Sequence, residues 1–221
     1  MPNSVWASDR LVYRAPLPED EDFIRKSWAA DETGYTNLFA TLPVPVGKKA
    51  AAKWREDIEK NLLGAIICIP EPEDKASTAG DGKANTNKDT PDKGTPTKPK
   101  STPIGFIDLS NSPPNFSHHR RTTLGVWIAK DYQGKGYGSE AVRWCLEWAF
   151  LYANLHRVAL TAFSWNTEVI KFYEKLGFTH EGKKRHAVWH DGDYHDVVCM
   201  GMLLEEWQER YGSEQQAREI S

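Results

Sequence analysis

The chain has 221 residues with 28 basic and 31 acidic side chains, a formal net charge of −3, and 39% hydrophobic residues that include nine tryptophans. That length suits one domain, and that apolar content excludes a wholly disordered chain. With pI about 6.2 and no run of like charge, the chain also lacks the basic footprint that binding to a nucleic-acid backbone requires. No stretch approaches the roughly 20 apolar residues of a membrane span, and the first residues lack the basic-then-apolar pattern of a secretory leader, so a soluble, cytoplasmic protein is expected. Cys68, Cys145 and Cys199 are odd in number and never form a C-x-x-C pair, which argues for reduced thiols rather than a disulfide framework or a zinc set.

In chain order, LVYRA (11–15) reads as a short strand. PEDEDFIRKSWAA (18–30) opens with Pro and acidic residues as a helix start should, and GKKAAAKWREDIEKNLL (47–63) is a second amphipathic helix. GAIICI (64–69) and PIGFIDL (103–109) read as neighbouring strands. Between them, residues 71–102 are a mixture of Lys, Asp, Thr, Gly and Pro that cannot bury enough apolar area to offset its ordering entropy. This is the polar segment that the mean hydropathy of −0.62 demands. It is expected to be a disordered insertion, with an interaction or phosphorylation segment as the alternative.

TLGVWIAK (123–130) is a strand that hands over through DYQGKGYG to a helix over SEAVRWCLEWAFLYAN, in which Ala141, Cys145, Trp148 and Tyr152 recur at helical spacing. RVALTAF (157–163) is the next strand. The helix after it has Asn166 as N-cap, Trp165 and Ile170 placed as a staple, and Gly177 just past its end. Residues 178–204 read as two strands joined by an Asp191-Gly192 turn. The order predicts an α/β (α+β) fold, a mixed sheet with helices on both faces. A single domain with a core over about 9–207 and a flexible tail over 208–221 is expected.

The turn Gln133-Gly134-Lys135-Gly136-Tyr137-Gly138-Ser139 sits where a strand meets a helix N-terminus, which gathers unpaired N–H groups and the positive end of a helix dipole. Glycines there let the main chain approach a phosphate, and Lys135 adds a cation. The spacing fits neither the dinucleotide fingerprint nor the NTPase loop. A glycine-rich turn without a ligand is the alternative.

Gln133-x-x-Gly136-x-Gly138 after a strand, followed one strand later by Asn166-x-x-Val169-Ile170-x-x-Tyr173-Glu174-Lys175-Leu176-Gly177-Phe178, resembles the GNAT superfamily of acetyl-CoA-dependent N-acetyltransferases. The closing Gly182…Asp191-Gly192-x-Tyr194-x-Asp196-Val197…Met202-Leu203 is similar to the branch with ribosomal-protein N-terminal and spermidine acetyltransferases. The resemblance covers 124–204 well and 11–109 more weakly. It implies a largely antiparallel sheet with a V-shaped parting between the strands at 123–130 and 157–163. The pantetheine arm of acetyl-CoA, a co-substrate, would lie in that parting, held by main-chain groups of Val126, Trp127 and Ile128, with the diphosphate on the amides of 133–138. No metal is implied.

The resemblance further implies that Tyr173 protonates the departing thiolate. By spacing alone, Tyr173 also fits as a core tyrosine beside Val169 and Leu176. Asn166 is a helix cap by its position, and the resemblance adds a contact to the cofactor or to an ordered water. Many relatives carry a glutamate where this chain has Thr123, so the general base is open, with an ordered water chain to solvent, Asp108, His118 and His119 as the alternatives. His186, His190 and His195 flank a hairpin turn and read as solvated residues rather than a metal cluster. The acceptor implied is a primary amine, which leaves a protein N-terminus, a polyamine or a small molecule, and the protein is expected as a monomer or homodimer. A non-catalytic acyl-CoA sensor is the rival reading.

Overall fold

A computed structural model describes residues 4–71 and 101–219, and of 213–219 the backbone alone. The elements are β1 (Val12–Arg14), α1 (Asp20–Ala30), α2 (Glu32–Leu38), α3 (Lys48–Glu59), β2 (Leu63–Pro70), β3 (Ser101–Leu109), β4 (Arg121–Ile128), α4 (Tyr137–Glu147), β5 (Arg157–Phe163), α5 (Thr167–Lys175), β6 (Thr179–His190), β7 (Asp193–Leu203) and α6 (Leu204–Glu219). Most of the expected insertion, 72–100, lies outside the described residues. Its expected end needs correction: Ser101 and Thr102 pair with Pro70 and Ile69, so β3 begins two residues before Pro103. The expected tail needs correction too, since 208–219 continue α6. Trp207 and Tyr211 are buried, and the Tyr211 hydroxyl donates to the Leu176 carbonyl, which ties α6 to the end of α5. The short α2 had no counterpart in the sequence reading.

The seven strands form one sheet in the order β1-β2-β3-β4-β5-β7-β6. Every neighbouring pair is antiparallel except β4 and β5, which run parallel. Alternation along the strands sends side chains to two apolar layers. One layer gathers Ile107, Leu109, Leu124 and Ile128 under α4, α5 and α6, and the other gathers Ile66, Cys68, Phe106 and Trp127 under α1 and α3. Trp28 of α1 anchors the second layer, meeting Tyr35, Phe39, Trp54, Phe106 and Trp127 edge to face. Cys68 and Cys145 are buried free thiols and Cys199 is half-buried.

Helix boundaries follow the expected chemistry. Asn166 caps α5, its side-chain oxygen accepting from Val169 N at 3.4 Å, and Gly177 follows the helix with φ +94°. The Trp165 ring stacks between Phe163 and His190 and donates from Nε1 to Asn37. Asp191 and Gly192 both take positive φ in the two-residue turn between β6 and β7, the conformation that a type I′ hairpin requires. Among the described residues no helix is long and apolar enough to cross a membrane.

Candidate active site

The sheet opens at its one parallel pair. β4 and β5 are in register only from Arg121 to Thr123 against Arg157 to Ala159. Beyond that point Leu124–Ile128 pair with β3 alone and Leu160–Phe163 with β7 alone. A V-shaped gap therefore separates two strands that are each satisfied on one side.

The register decides which main-chain groups face the gap. Ser110 N donates to Thr123 O and Ala129 N donates to Ile104 O, and these bonds bracket β4. Between them Asp108 opposes Gly125 and Phe106 opposes Trp127. By the two-residue alternation of an antiparallel ladder, 123, 125, 127 and 129 direct their amides to β3, and 124, 126 and 128 direct theirs into the gap. The main-chain groups of Val126 and Ile128 thus face the gap. Trp127 is a correction: its main chain is turned to β3, and its indole is buried between Trp28 and Phe106 in the other layer. The Ile128 carbonyl already accepts from Gln133 Nε2 at 2.8 Å, which ties the following turn to the end of the strand.

At the mouth of the gap, residues 133–136 are exposed and 137–139 half-buried. Gly134 has φ +72° and Gly136, the N-cap of α4, has φ +83°. Both lie in the left-handed region that glycine takes without strain. The helix starts at Tyr137, two residues before its expected first residue, Ser139. Among the described residues none of the N–H groups of 134–139 has a protein acceptor. Unpaired amides at a helix N-terminus make a concave site for an anion. Gly138 places the turn beside α5 and β4, since a Cβ there would meet the Phe172 ring at 3.6 Å and Ile128 at 3.8 Å.

The turn is braced by a group that sequence reasoning missed. Arg10 donates from Nη1 to the Lys135 carbonyl, pairs through Nε with Glu140 at 2.8 Å, and lies over the Tyr137 ring. The Glu140 carboxylate also accepts from Ser8 Oγ and from Arg10 N. Burial opposes its ionisation, but the hydrogen bonds from Ser8 and Arg10 outweigh that and hold it below its ordinary value. Lys135 Nζ caps the Asp131 carbonyl at 2.7 Å and stands over Tyr132.

Tyr173 projects from α5 and is 7% exposed, packed edge to face with Phe172 and Phe178. Burial, and then the charge of Asp108, hold its hydroxyl above the ordinary tyrosine range, so it stays protonated at neutral pH. The other base candidates separate cleanly. His118 and His119 are exposed in the β3–β4 loop, their rings tilted against each other with centroids 3.9 Å apart. Thr123 is the last residue paired across to β5 and is exposed. Asp108 is half-buried, accepts from Asn61 Nδ2 at 2.8 Å, and burial pushes its carboxyl up to about 7 with that hydrogen bond acting in the opposite direction. The hairpin histidines do not converge: His186 is exposed, and His190 and His195 pack on Trp165. Among the described residues no group of three or more His, Cys, Asp or Glu is placed to hold a metal.

A sheet parted at one parallel pair, with a glycine-rich turn and helix N-terminus at its mouth and a buried tyrosine on the following helix, is the architecture of the GNAT class. The model of the acetyltransferase (GNAT) domain matches residues 10–179, and the chain belongs to that family. It is 37% identical over 104 residues to "Putative ribosomal N-acetyltransferase YdaF" of Bacillus subtilis, covering 47% of this chain and 55% of that one. It is 33% identical over 82 residues to spermidine N(1)-acetyltransferase of Escherichia coli K12, covering 37% and 44%. These alignments span about half the length of either relative. The crystal structure of spermidine N-acetyltransferase from Vibrio cholerae in complex with CoA and spermine has the same fold, with TM-score 0.66 at 18% identity over 90% of this chain and 99% of that one.

Proposed function

We propose that the protein transfers an acetyl group from acetyl-CoA directly to a primary amine, with a polyamine as the first acceptor to test. The observation that carries this reading is the gap itself. Its β4 edge offers the main-chain groups of Leu124, Val126 and Ile128, and an extended arm with amides pairs with such an edge as an added strand would. The unpaired amides of 134–139 suit the diphosphate at one end of such a molecule. Val126, Ile128, Gln133, Gly134, Lys135, Gly136, Tyr137, Gly138 and Ser139 are the residues assigned to acetyl-CoA, and Trp127 shapes the gap from behind.

Transfer to nitrogen needs a proton for the sulfur that leaves. Tyr173 supplies it: its hydroxyl is protonated, and among the described residues it spends no hydrogen bond on the protein. Asn166 fixes the start of the helix that carries Tyr173. The polyamine assignment is supported by the names of the relatives, and a protein N-terminus is the second acceptor class they suggest.

The test is thiol release from acetyl-CoA with polyamines, N-terminal peptides and small amines, run beside Tyr173→Phe. Release with one acceptor class, slowed about 100-fold or more in the variant at unchanged acetyl-CoA affinity, is the expected result. Binding of acetyl-CoA without release to any amine would replace this reading with that of an acyl-CoA sensor.

A further inference from the structure

We propose that Asp108 is the general base that takes the proton from the incoming ammonium group. The inference rests on the acetyltransferase reading and assigns the one role which that reading leaves empty.

The position is built around the carboxylate. Asp108 lies in β3 in register with Gly64 of β2 on one side and Gly125 of β4 on the other. Its Oδ1 stands 2.5 Å from the point where a Cβ on Gly125 would sit, so the carboxylate occupies space that any other residue at 125 would fill. Gly125 is two residues past Thr123, the last β4 residue in register with β5. The carboxylate therefore lies over β4 at the head of the gap.

Its two oxygens are used unequally. Oδ2 accepts from Asn61, which fixes the group, and among the described residues Oδ1 has no donor. The polar atoms that are fully sealed without a partner are Arg25 Nε, Trp28 Nε1 and Trp127 Nε1, and Oδ1 is not one of them, so it is not completely sealed. The same holds for the Tyr173 hydroxyl. Among the described residues no cation acts on Asp108. The titratable groups near it are Tyr173 from α5 and Cys145 from α4, both raised first by burial and then by the charge of Asp108. A carboxylate that titrates near neutrality, with one oxygen anchored and one open, is matched to accepting a proton from an amine.

The step balances. Asp108 accepts one proton from R–NH3+, and the freed nitrogen lone pair forms the C–N bond as the C–S bond breaks. The sulfur takes the Tyr173 proton, and the second proton lost by nitrogen restores Tyr173. The proton on Asp108 then leaves to solvent.

Asp108→Asn keeps the shape and the bond from Asn61, and the assay is thiol release with spermidine from pH 5.5 to 9.5. The native protein is expected to show an acidic limb in kcat/KM with a midpoint near 7. The variant is expected to lose kcat about 100-fold or more and to lose that limb, with acetyl-CoA affinity within about twofold by calorimetry. Native turnover with a variant that keeps its rate and its acidic limb overturns the base alone. No transfer by the native protein to any amine overturns the acetyltransferase reading and the base with it. If the variant does not fold, carbon NMR of the native carboxyl decides, and a titration near 4 refutes the proposal.

Discussion

Asp108→Asn should make the protein more stable in alkaline solution while it removes activity, and the size of that gain follows from the burial of the carboxylate. The carboxyl titrates at about 7 in the fold against an ordinary value of 3.8, so the native state holds this proton more tightly than the unfolded chain does. Below about pH 4 both states are protonated and the group costs nothing. Between 4 and 7 the unfolded chain ionises first and stability falls as pH rises. Above 7 the full cost is present, at about 4 kcal/mol from 1.36 kcal/mol per pH unit. Asparagine carries no charge, so the advantage of the variant should grow by about 2–3 kcal/mol between pH 5 and pH 8, or roughly 5–10 °C in Tm for a chain of this size. Thermal unfolding of both proteins at closely spaced pH values measures it. Parallel Tm curves across this range would refute the argument, because they would mean that the carboxylate is hydrated in the fold and its titration ordinary.

Two further substitutions test the turn and the cap. Gly136→Ala forces φ +83° on a residue with a Cβ and sets that carbon 3.3 Å from Arg10, so it should cost about 1–2 kcal/mol in urea unfolding and weaken acetyl-CoA binding. Gly138→Ala, at helical φ with ordinary contacts, should be neutral or stabilising, and equal losses at both positions would discount the strain argument. Asn166→Ala removes a long cap bond of 3.4 Å and should cost about 0.5–1 kcal/mol. A fall in thiol release beyond tenfold at unchanged acetyl-CoA affinity would give Asn166 a role in the chemistry as well as in the helix.

The sequence was readable where chemistry is local. The α5 cap, the Gly177 stop, the Asp191-Gly192 hairpin and the glycine-rich turn into α4 all depend on residues a few positions apart, and each forms locally as its pattern predicts. What failed needed register or distant contacts. Trp127 sits in the right strand, but whether its amides face β3 or the gap depends on a pairing that no single strand encodes. The tail over 208–219 is polar in sequence, and its helix is anchored by Trp207 and Tyr211 docking near α5. Arg10 braces the turn from 125 positions away, with no local motif to mark it. Asp108 was visible only as one candidate side chain among three, beside an ordered water chain, because its two flanking glycines lie 44 positions before it and 17 after it.

Under the proposed roles, the placement of Asp108 and Tyr173 would give the gap a sense of order. Burial raises both Asp108 and Tyr173, yet with different consequences: at neutral pH the carboxyl stands near its midpoint while the phenol keeps its proton. The two are also coupled, since the negative charge on Asp108 is one of the causes that hold the proton on Tyr173. Once Asp108 has taken a proton from the amine, that charge is gone and Tyr173 becomes a stronger acid. This is the moment at which a nitrogen lone pair exists to attack and a sulfur is about to need a proton. Before that moment the ionised carboxylate holds the acid back, so the donor is released by the event that creates the nucleophile. If both roles hold, a fold that parts one parallel pair of strands, leaves glycine beside the carboxylate and lays a tyrosine helix along the opening would obtain this sequence from position.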